Sequence, residues 1–397
     1  MKILQVCSKT PYSPKDGGGI AMKMLMEGLA AEGNTVHVMA VSTPKHFIND
    51  ADIDAAYKNK TAFHSVFIDT SVKPFAAFLN LFSSDSYNVS RFYSKEFEKV
   101  LIKKIKEEQY ELIQLESLWV TPYLDAIRKH SKAKVVLRSH NIEYLIWERL
   151  ADTCGSPLKK VYLNMLASRL KRYELSMLNK YDSIVMITDV DAAVYKKAGC
   201  TVPVITVPFG IDLSGYVQDA SALEKHSLFH IGAMDWQPNI DGINWFLRSV
   251  WILVNEKHPD VKLYLAGRNM TEEIKDLKLE NVIVEGEVAD SNRFINSKSI
   301  MIVPLLSGGG MRVKIIEGMA LGKTIVSTTI GAEGIAYEDG KNILIADTEA
   351  EFASALDKCL SDRSFSDQIG QNARALVEVN YDNKHICSKL SDFYKTL

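Results

Sequence analysis

Short apolar runs alternate with helical stretches along the whole chain, and this rhythm constrains the fold more than any other feature. Such alternation is typical of doubly wound α/β proteins, whose parallel sheets carry helices on their faces. A long helix is predicted at 157–180. In the first half, strands are predicted at 2–8, 34–41, 64–69, 110–116, 134–140 and 182–188.

The rhythm stops at 202–216, where prolines favour an extended segment, and then resumes. The second half predicts strands at 227–234, 261–267, 281–286, 299–305, 323–328 and 342–346, then helices at 349–361, 364–379 and 381–396. We therefore predict two Rossmann-like domains that face each other across a cleft. They should span 1–208 and 209–379, with a last helix at about 380–397 packing back on the first. Ligands of such sheets bind at the carboxyl ends of the strands.

The two halves differ in charge, although the formal net charge is only −2. Residues 1–208 contain 28 Lys and Arg against 22 Asp and Glu, whereas the remainder contains 19 against 27. A basic first half favours an anionic partner such as a membrane surface or a lipid-phosphate acceptor. Nucleic acid is not expected, because no basic stripe with interleaved aromatic residues is present. Aromatics and lysines at 73–106 and 157–180 either contact a membrane or an acceptor, or belong to core helices with a solvated face.

The sequence favours a cytoplasmic protein. No apolar run approaches the roughly 20 residues that a membrane-spanning helix needs. The first residues, MKILQVCSKTPY, predict a strand rather than a signal peptide. The five cysteines are odd in number and widely spaced, without metal-ligand spacing, so reduced thiols are expected.

The segment 307–329 joins a three-glycine loop to an amphipathic helix. Arg312, Lys314 and Glu317 are predicted to follow one another on this helix. Lys314 and Glu317 lie three apart on one helix face, where a carboxylate can bind ribose hydroxyls while cations meet phosphate. The helix start offers free N–H groups to phosphate. Three glycines let a ligand approach the backbone closely, namely Gly308, Gly309 and Gly310. This pattern predicts a site for a phosphate-bearing sugar. The alternative is a mobile loop before a surface helix with an i,i+3 ion pair.

This segment resembles the corresponding helix of retaining nucleotide-sugar glycosyltransferases of family 4, which have the two-domain GT-B fold. Their usual pattern is two glutamates separated by seven residues, followed by a helix rich in small residues. Glu317 matches the second glutamate, and EGMALGKTIVST continues the pattern, but Gly309 stands where the first glutamate would be. The resemblance implies transfer from a UDP- or GDP-linked sugar to a glycan or lipid-linked acceptor. It also implies a role in bacterial surface polysaccharide synthesis. From the basic first half we expect peripheral contact with the inner membrane.

A second glycine loop, Asp16-Gly17-Gly18-Gly19, opens a helix after the first strand and could hold phosphate or sugar. It lacks the G-x-G-x-x-G spacing, and no acidic residue ends the second strand, so a dinucleotide is disfavoured. The family carries a Gly-Gly loop here that faces donor phosphate and acceptor. The resemblance assigns this role to Gly18 and Gly19.

The strand end at 138–143 carries a histidine that can point into the cleft and hydrogen-bond a substrate oxygen. His140 resembles the histidine of the family's acceptor-side H-x-x-E-like segment, and we predict that it is catalytic. Its neighbours Arg138, Asn141 and Glu143 are predicted to lie on the acceptor side.

The family usually binds the donor diphosphate with a Gly-Arg pair followed by a lysine, but Ala233 follows Gly232 here, and Asn239 stands near the lysine position. We predict that Arg312 and Lys314 replace these cations and stabilise the diphosphate leaving group. Two glycines should lie near the donor, Gly232 and, at the turn that meets the base, Gly286. Met311 should cap the glycine bend.

Two D-x-D triplets, Asp52-Ile53-Asp54 and Asp189-Val190-Asp191, resemble metal-binding pairs of another glycosyltransferase fold, but each opens a helical stretch. Capping of helix N–H groups explains them better, so no metal and no cofactor besides the donor are expected. Three other functions stay open: a sugar-nucleotide 2-epimerase of the same fold, a nicotinamide dehydrogenase, and a non-catalytic sugar-nucleotide-binding protein.

Overall fold

The computed structural model describes residues 1–14 and 17–397, apart from the side chains at positions 50 and 77. The described chain forms two compact units. Unit 1 comprises Met1–Gly210 and Asn383–Leu397, and unit 2 comprises Ile211–Asp382.

Unit 1 is built on a parallel sheet of seven strands. They are β1 Lys2–Cys7, β2 Thr35–Ser42, β3 His64–Phe67, β4 Leu112–Glu116, β5 Lys134–Ser139, β6 Ser183–Met186 and β7 Val204–Thr206. Their order is β3-β2-β1-β4-β5-β6-β7, and every neighbouring pair is parallel. Strand β1 therefore lies between β2 and β4, which makes the β1–β4 junction the point where the strand order reverses.

Helices cover both faces of this sheet. They are α1 Gly17–Ala31, α2 Ala55–Thr61, α3 Pro74–Asn80, α4 Tyr87–Ser90, α5 Lys95–Glu107, α6 Leu124–His130, α7 Glu143–Asp152, α8 Pro157–Met177 and α9 Asp189–Lys197, with 3₁₀ turns at Pro44–His46, Asp50–Asp52 and Leu118–Tyr123. Successive strand residues enter different cores: Leu4 and Val6 pack on one side, and Ile3 and Cys7 on the other. Both faces being apolar is what a buried parallel sheet requires.

Strand β7 lies inside the segment that the sequence indicated as an interruption. Val204–Thr206 pairs with β6, although Pro203 and Pro208 flank it. The strand is short and at the sheet edge, where proline is tolerated because few backbone N–H groups must pair.

Unit 2 repeats this plan with six strands. They are β8 Glu224–Ile231, β9 Lys262–Ala266, β10 Val282–Gly286, β11 Lys298–Val303, β12 Thr324–Ser327 and β13 Leu344–Ile345. The order is β10-β9-β8-β11-β12-β13, again with parallel pairs. The reversal of strand order lies between β8 and β11.

The helices of unit 2 are α10 Gln237–Trp245, α11 Trp251–Lys257, α12 Glu272–Lys275, α13 Ser291–Asn296, α14 Val313–Ala320, α15 Glu349–Ser361 and α16 Arg363–Asn380. A π-helical stretch, Phe246–Val250, joins α10 to α11, and a 3₁₀ turn spans Leu213–Gly215. The closing helix α17, Asn383–Lys395, belongs to unit 1 and packs on α1. Gly28 of α1 permits this contact, because a Cβ there would lie 2.2 Å from Sγ of Cys387.

The two parallel sheets confirm the predicted α/β class with two Rossmann-like halves. Each half has its own reversal of strand order, at β1–β4 in unit 1 and β8–β11 in unit 2. Ligands of open parallel sheets bind outside the carboxyl ends of the strands at such reversals. The carboxyl edge of each sheet is therefore the place to look for a site.

Candidate functional site

The glycine loop of unit 2 follows β11 at the strand-order reversal and leads into α14. Gly308 has φ 109° and Gly310 has φ 84°, in the left-handed region that favours glycine. A Cβ at Gly308 would also lie 3.0 Å from the ring of Trp236 and from a guanidinium nitrogen of Arg312. The loop is thus a shaped turn packed against these two side chains, with Gly309 at its centre and Met311 partly buried behind it.

Arg312 precedes α14 instead of lying within it, which corrects the expectation that it belongs to the helix. Its backbone is extended, with φ −89° and ψ 90°, and the helix begins at Val313. The guanidinium Nη1 donates to the carbonyl oxygens of Gly309 and Gly310, and the guanidinium carbon lies 5.1 Å from the centre of the Trp236 ring. The buried Arg312 side chain therefore braces the loop and brings a positive charge beneath it.

Lys314 points from α14 toward the end of β8. Its Nζ donates to Oδ1 of Asn239 at 3.0 Å and lies 3.3 Å from Nε2 of His230. His230 is fully buried, and its Nδ1 lies 3.0 Å from the carbonyl oxygen of Ile302. Since only an N–H can donate to that carbonyl, Nδ1 carries the proton and Nε2 accepts from Lys314. Burial first, and then the charge of Lys314, hold the pKa of His230 well below its usual value.

In the described part of the chain, the Lys314 ammonium contacts only the neutral side chains of Asn239 and His230. Burial, and secondly the nearby charge of Arg312, lower the pKa of Lys314 to about 7. A cation in a poorly hydrated site without an anion is costly, so the ammonium is stabilised by any anion that enters.

Lys314 and Glu317 share α14 but have separate partners. The Oε1 of Glu317 accepts a hydrogen bond of 2.9 Å from the hydroxyl of Tyr216. Burial raises the pKa of Glu317, and this hydrogen bond opposes the rise. The anticipated alternative of a surface i,i+3 ion pair does not describe this helix, because the two side chains bond to other residues in the partly buried edge.

The predicted glycines Gly232 and Gly286 come together at the same edge of the unit 2 sheet. The N–H of Gly232 donates to Ala266 at 3.1 Å, and the N–H of Gly267 donates to Gly286 at 2.7 Å, linking the ends of β8, β9 and β10. A Cβ at Gly232 would lie 3.1 Å from Nζ of Lys314. The glycine therefore leaves room for the lysine beside it.

The carboxyl edge of unit 1 holds His140, which follows β5. Its Nε2 lies 2.6 Å from Oε2 of Glu116, the last residue of β4. Arg138 pairs with Glu116 across the two strands, and its Nε lies 3.9 Å from the same carboxylate oxygen. Arg138 is only 1% exposed, so the structure places it beneath the surface as the charge partner of Glu116.

The other acceptor-side predictions lie at the start of α7 and α1. Glu143 is buried; burial, and then the charge of Glu174, raise its pKa to about 8, while a side-chain hydrogen bond from Asn141 opposes the rise. Gly19 is buried and Gly18 partly buried in the first turn of α1. Asp16, which opened this glycine motif, lies outside the described residues.

Both D-x-D triplets lie at helix starts, but only the first supplies the N-cap that was predicted. Oδ1 of Asp54 accepts from the N–H of Ala56 at 2.6 Å, whereas Thr188 caps the helix that contains Asp189 and Asp191. In residues 1–14 and 17–397, no three His, Cys, Asp or Glu side chains are grouped as metal ligands would be. No helix within the same residues combines the length and hydropathy of a membrane span.

Sequence reasoning missed five residues of these edges: His230, Trp236, Asn239 and Tyr216 in unit 2, and Glu116 in unit 1. Glu116 could have been found by the rule that selected His140, since it too ends a strand. Asn239 follows β8 and was seen only as a departure from a family pattern, whereas Trp236, which also follows β8, gave no signal in the sequence. His230 looked like part of an apolar strand, and Tyr216 like part of the connecting segment.

Two models of glycosyltransferase families match this chain. The model described as Glycosyltransferase Family 4 matches residues 15–214, just over half of the chain, and the model described as Glycosyl transferases group 1 matches residues 225–362. The chain belongs to glycosyltransferase family 4.

Relatives of this family 4 glycosyltransferase include two proteins connected with capsule genes or capsule synthesis. An uncharacterized 44.6 kDa protein in the cps region of Klebsiella pneumoniae is 25% identical, with 98% of each chain covered. A capsular polysaccharide biosynthesis glycosyltransferase from Staphylococcus aureus is 26% identical over 47% of this chain and 53% of its own.

Solved structures share the fold of this family 4 glycosyltransferase. Anabaena HepE in complex with UDP superposes with a TM-score of 0.70 at 14% identity, covering 100% of both chains. Sucrose-phosphate synthase from Thermosynechococcus elongatus gives a TM-score of 0.72 at 15% identity, covering 100% of this chain and 99% of the other. The likeness establishes the GT-B fold.

Proposed function

We propose that this chain is a retaining glycosyltransferase that moves a hexosyl or N-acetylhexosaminyl group from a UDP- or GDP-linked donor to a hydroxyl of a glycan or glycolipid. The proposed pathway is bacterial surface polysaccharide synthesis, which is consistent with the capsule-related descriptions of the two relatives. That HepE was crystallised with UDP and with UDP-glucose supports a nucleotide sugar as donor.

One observation carries the donor assignment: Lys314 is a partly buried cation at the strand-order reversal, and its hydrogen-bond partners Asn239 and His230 are neutral. A diphosphate would supply the missing negative charge. Arg312 brings a second cation under the glycine loop, and the N–H groups at the start of α14 add a favourable dipole. Glu317 lies one turn further along and would bind the ribose hydroxyls.

In the proposed reaction, the bond between the sugar C1 and the diphosphate oxygen breaks while the acceptor oxygen forms a bond to C1 on the same face. The departing diphosphate takes the acceptor's hydroxyl proton. Arg312 and Lys314 would stabilise the charge that develops on the leaving oxygen, which is the largest electrostatic demand of such a transfer. His140 would orient the transferred sugar or the reacting hydroxyl.

We assign donor binding to unit 2 and acceptor binding to unit 1, with Gly18, Gly19, Asn141 and Glu143 on the acceptor side. Arg138 is almost fully buried, so we propose that it does not touch the acceptor and instead balances the charge of Glu116. No metal or further cofactor enters the proposal.

We also propose that unit 1 rests on the cytoplasmic face of an anionic membrane. The segment 72–82 exposes large apolar side chains, above all Phe75 at 73% and Phe82 at 80%. Arg169 of α8 donates to Asn80, which holds this segment beside the helix. The exposed charges of α8 are positive, since its one acid, Glu174, is buried. Apolar side chains next to cations suit an interface with anionic lipid.

The donor is tested by thermal shift with a panel of UDP- and GDP-sugars. A bound donor at a hundredfold excess over Kd should stabilise the protein by roughly 3 kcal/mol, and Lys314→Met should lose the response. If no nucleotide sugar in the panel raises the melting temperature, the donor site is refuted.

The reaction is tested with the donor that binds. Product analysis without acceptor identifies an epimerase, and the anomeric configuration of a transferred sugar decides between retention and inversion. An inverted product or an epimerised donor would each overturn the corresponding part of the proposal.

The membrane contact is tested by co-sedimentation with vesicles of phosphatidylglycerol and with vesicles of phosphatidylcholine. Binding should need the anionic lipid and should fall in a Phe75→Ser, Phe82→Ser double variant. Binding that is equal for both lipids, or unchanged in the variant, would refute this surface.

A further inference from the structure

A fully buried carboxylate lies directly beneath the proposed catalytic histidine. The Glu116 side chain is 0% exposed, whereas that of His140 is 13% exposed. Their 2.6 Å contact joins Oε2 of Glu116 to Nε2 of His140 and is short for a hydrogen bond between nitrogen and oxygen. No family pattern in the sequence assigns a role to Glu116.

The direction of this hydrogen bond follows from the state of the carboxylate. Burial alone would raise the pKa of Glu116, but His140, Arg138 and Gln5 outweigh burial and hold that pKa below its usual value. An ionised carboxylate can only accept, so the Nε2 of His140 must donate. In the neutral ring this leaves the lone pair on Nδ1, the nitrogen that is not held by Glu116.

The carboxylate is itself fixed by a chain of buried side chains on one face of the sheet. Its Oε1 accepts from Nε2 of Gln5 at 2.7 Å and from Nε2 of Gln114. The amide of Gln114 is oriented in turn, because its Oε1 accepts from the hydroxyl of Tyr394 at 2.5 Å. Tyr394 lies in α17, so the closing helix of the chain contributes to a network that ends at His140.

The charges that face this network come from β4 and β5. Glu116 is negative and Arg138 positive, and they lie side by side in the parallel pair. Nε and Nη1 of the buried Arg138 make no hydrogen bond in the described structure, so its contribution is charge rather than a directed bond. Arg138 therefore balances the negative charge of Glu116 but makes no hydrogen bond through Nε to Oε2, the oxygen that contacts His140.

We propose that Glu116 is a positioning residue of the transfer reaction: it holds Nε2–H of His140 and thereby presents the Nδ1 lone pair as acceptor for a sugar hydroxyl. This inference rests on the proposed function for its substrate, but the tautomer is a property of the free protein. Carboxylate–imidazole pairs fix ring orientation in this way in other sites. Glu116, Gln114 and Tyr394 thus form one hydrogen-bonded network that orients the His140 ring.

The tautomer is tested by NMR of protein labelled with ¹⁵N in its histidines, at mildly alkaline pH. His140→Gln identifies the signals of this ring. The wild type should show a protonated Nε2 whose proton exchanges slowly with water, and an unprotonated Nδ1. In Glu116→Gln the slow exchange should be lost. A proton on Nδ1 in the wild type, or an unchanged signal in Glu116→Gln, would overturn the proposal whether or not the donor site is correct.

A matched control is Asp182→Asn, which also converts a carboxylate to an amide in unit 1. Asp182 precedes β6 at the opposite edge of the same sheet and accepts from Arg128 and from the N–H of Val135, both at 2.7 Å. This variant should leave the His140 signals and turnover unchanged. If it changes them as Glu116→Gln does, the effect is general destabilisation and the proposal fails.

Kinetics then separate positioning from folding. Glu116→Gln should lower kcat about 10- to 100-fold, the loss typical of removing a residue that orients a functional histidine, with little change in donor KM. In the double variant with His140→Gln, Glu116→Gln should cause almost no further loss of kcat, because each substitution alone already removes the Glu116–His140 interaction. Tyr394→Phe, a milder change if Glu116→Gln is poorly folded, should lower kcat in the same direction by less. Additive losses in the double variant, or a normal kcat in both single variants of the network, would refute the proposal.

Discussion

The carboxyl edges of the two sheets handle charge in opposite ways. In unit 1, Glu116 is balanced by Arg138 and bonded to His140, so the buried charges compensate each other. In unit 2, Lys314 lies among neutral partners, and burial, and secondly the charge of Arg312, lower its pKa to about 7. The charges of Glu116 and Arg138 are thus matched, whereas Lys314 has no anionic partner among the described residues.

This difference indicates the chemistry that each edge recognises. A compensated edge that presents an imidazole nitrogen suits neutral hydroxyl groups, which need a directed acceptor and no counter-charge. An edge with an unmatched ammonium suits a diphosphate, whose charge repays the cost of burying the cation. One sheet plan, used twice, is therefore consistent with the proposed acceptor site in unit 1 and the proposed donor site in unit 2.

The largest expected effect is on the donor edge. Arg312→Ala should lower kcat by about 10²- to 10³-fold, because the leaving diphosphate loses a preorganised cation. The loop carbonyls of Gly309 and Gly310 also lose their brace. Steady-state kinetics measures the loss, and a cooperative melting curve shows that the fold persists. A near-wild-type kcat would remove Arg312 from the mechanism.

A smaller effect is expected for the ribose contact. Glu317→Gln should raise donor KM by about 10- to 100-fold, since a charge-assisted hydrogen bond contributes roughly 1.5–3 kcal/mol. The control Tyr216→Phe removes the hydroxyl that bonds Glu317 and keeps the carboxylate, so its KM should change less. If donor KM is the same in Glu317→Gln and wild type, the ribose is bound elsewhere.

The pH dependence of donor binding tests the unmatched charge directly. Since the free-state pKa of Lys314 is about 7, the lysine is protonated below that pH and largely neutral above it. The diphosphate raises this pKa, so binding takes up a proton, and affinity should fall by up to about tenfold per unit as pH rises above 7. Calorimetry with a nucleotide sugar in buffers of different ionisation enthalpy measures the uptake.

The control for this linkage is Lys314→Met, which should bind more weakly with no proton uptake. The nucleotide sugar is the right probe because a free nucleoside diphosphate titrates near neutral pH itself. If wild type and Lys314→Met take up the same number of protons on binding, the proton goes to another group, and the proposal that Lys314 is the unmatched charge of this edge is wrong.

The smallest effect concerns an acid outside both edges. Asp54→Ala should cost about 1 kcal/mol by removing the N-cap of α2, and should lower Tm by about 2–4 °C. Turnover should not change, with or without a chelator. Loss of activity on mutation or chelation would show that the D-x-D triplet binds a metal, and the capping interpretation would be wrong.

Much of the fold followed from the sequence because the controlling signals are local. Alternating apolar and helical runs identified twelve of the thirteen strands of the described chain and the three closing helices. The exception, β7, is a three-residue edge strand between prolines, and its pairing with β6 is a tertiary event. Similarly, the start of α14 was placed too early because Arg312 folds back on the loop, a contact that no periodicity encodes.

The sequence by itself determined the two parallel α/β halves, the glycine loop and the helix that carries Lys314 and Glu317, because strand and helix periods and glycine spacing are properties of neighbouring residues. Only the tertiary structure decided that Lys314 meets Asn239 and that Glu116 lies under His140. Those partners are 75 and 24 residues apart, and the packing of separate strands and helices brings them together. The charge state of each edge depends on these contacts, so it could not be read from residue order.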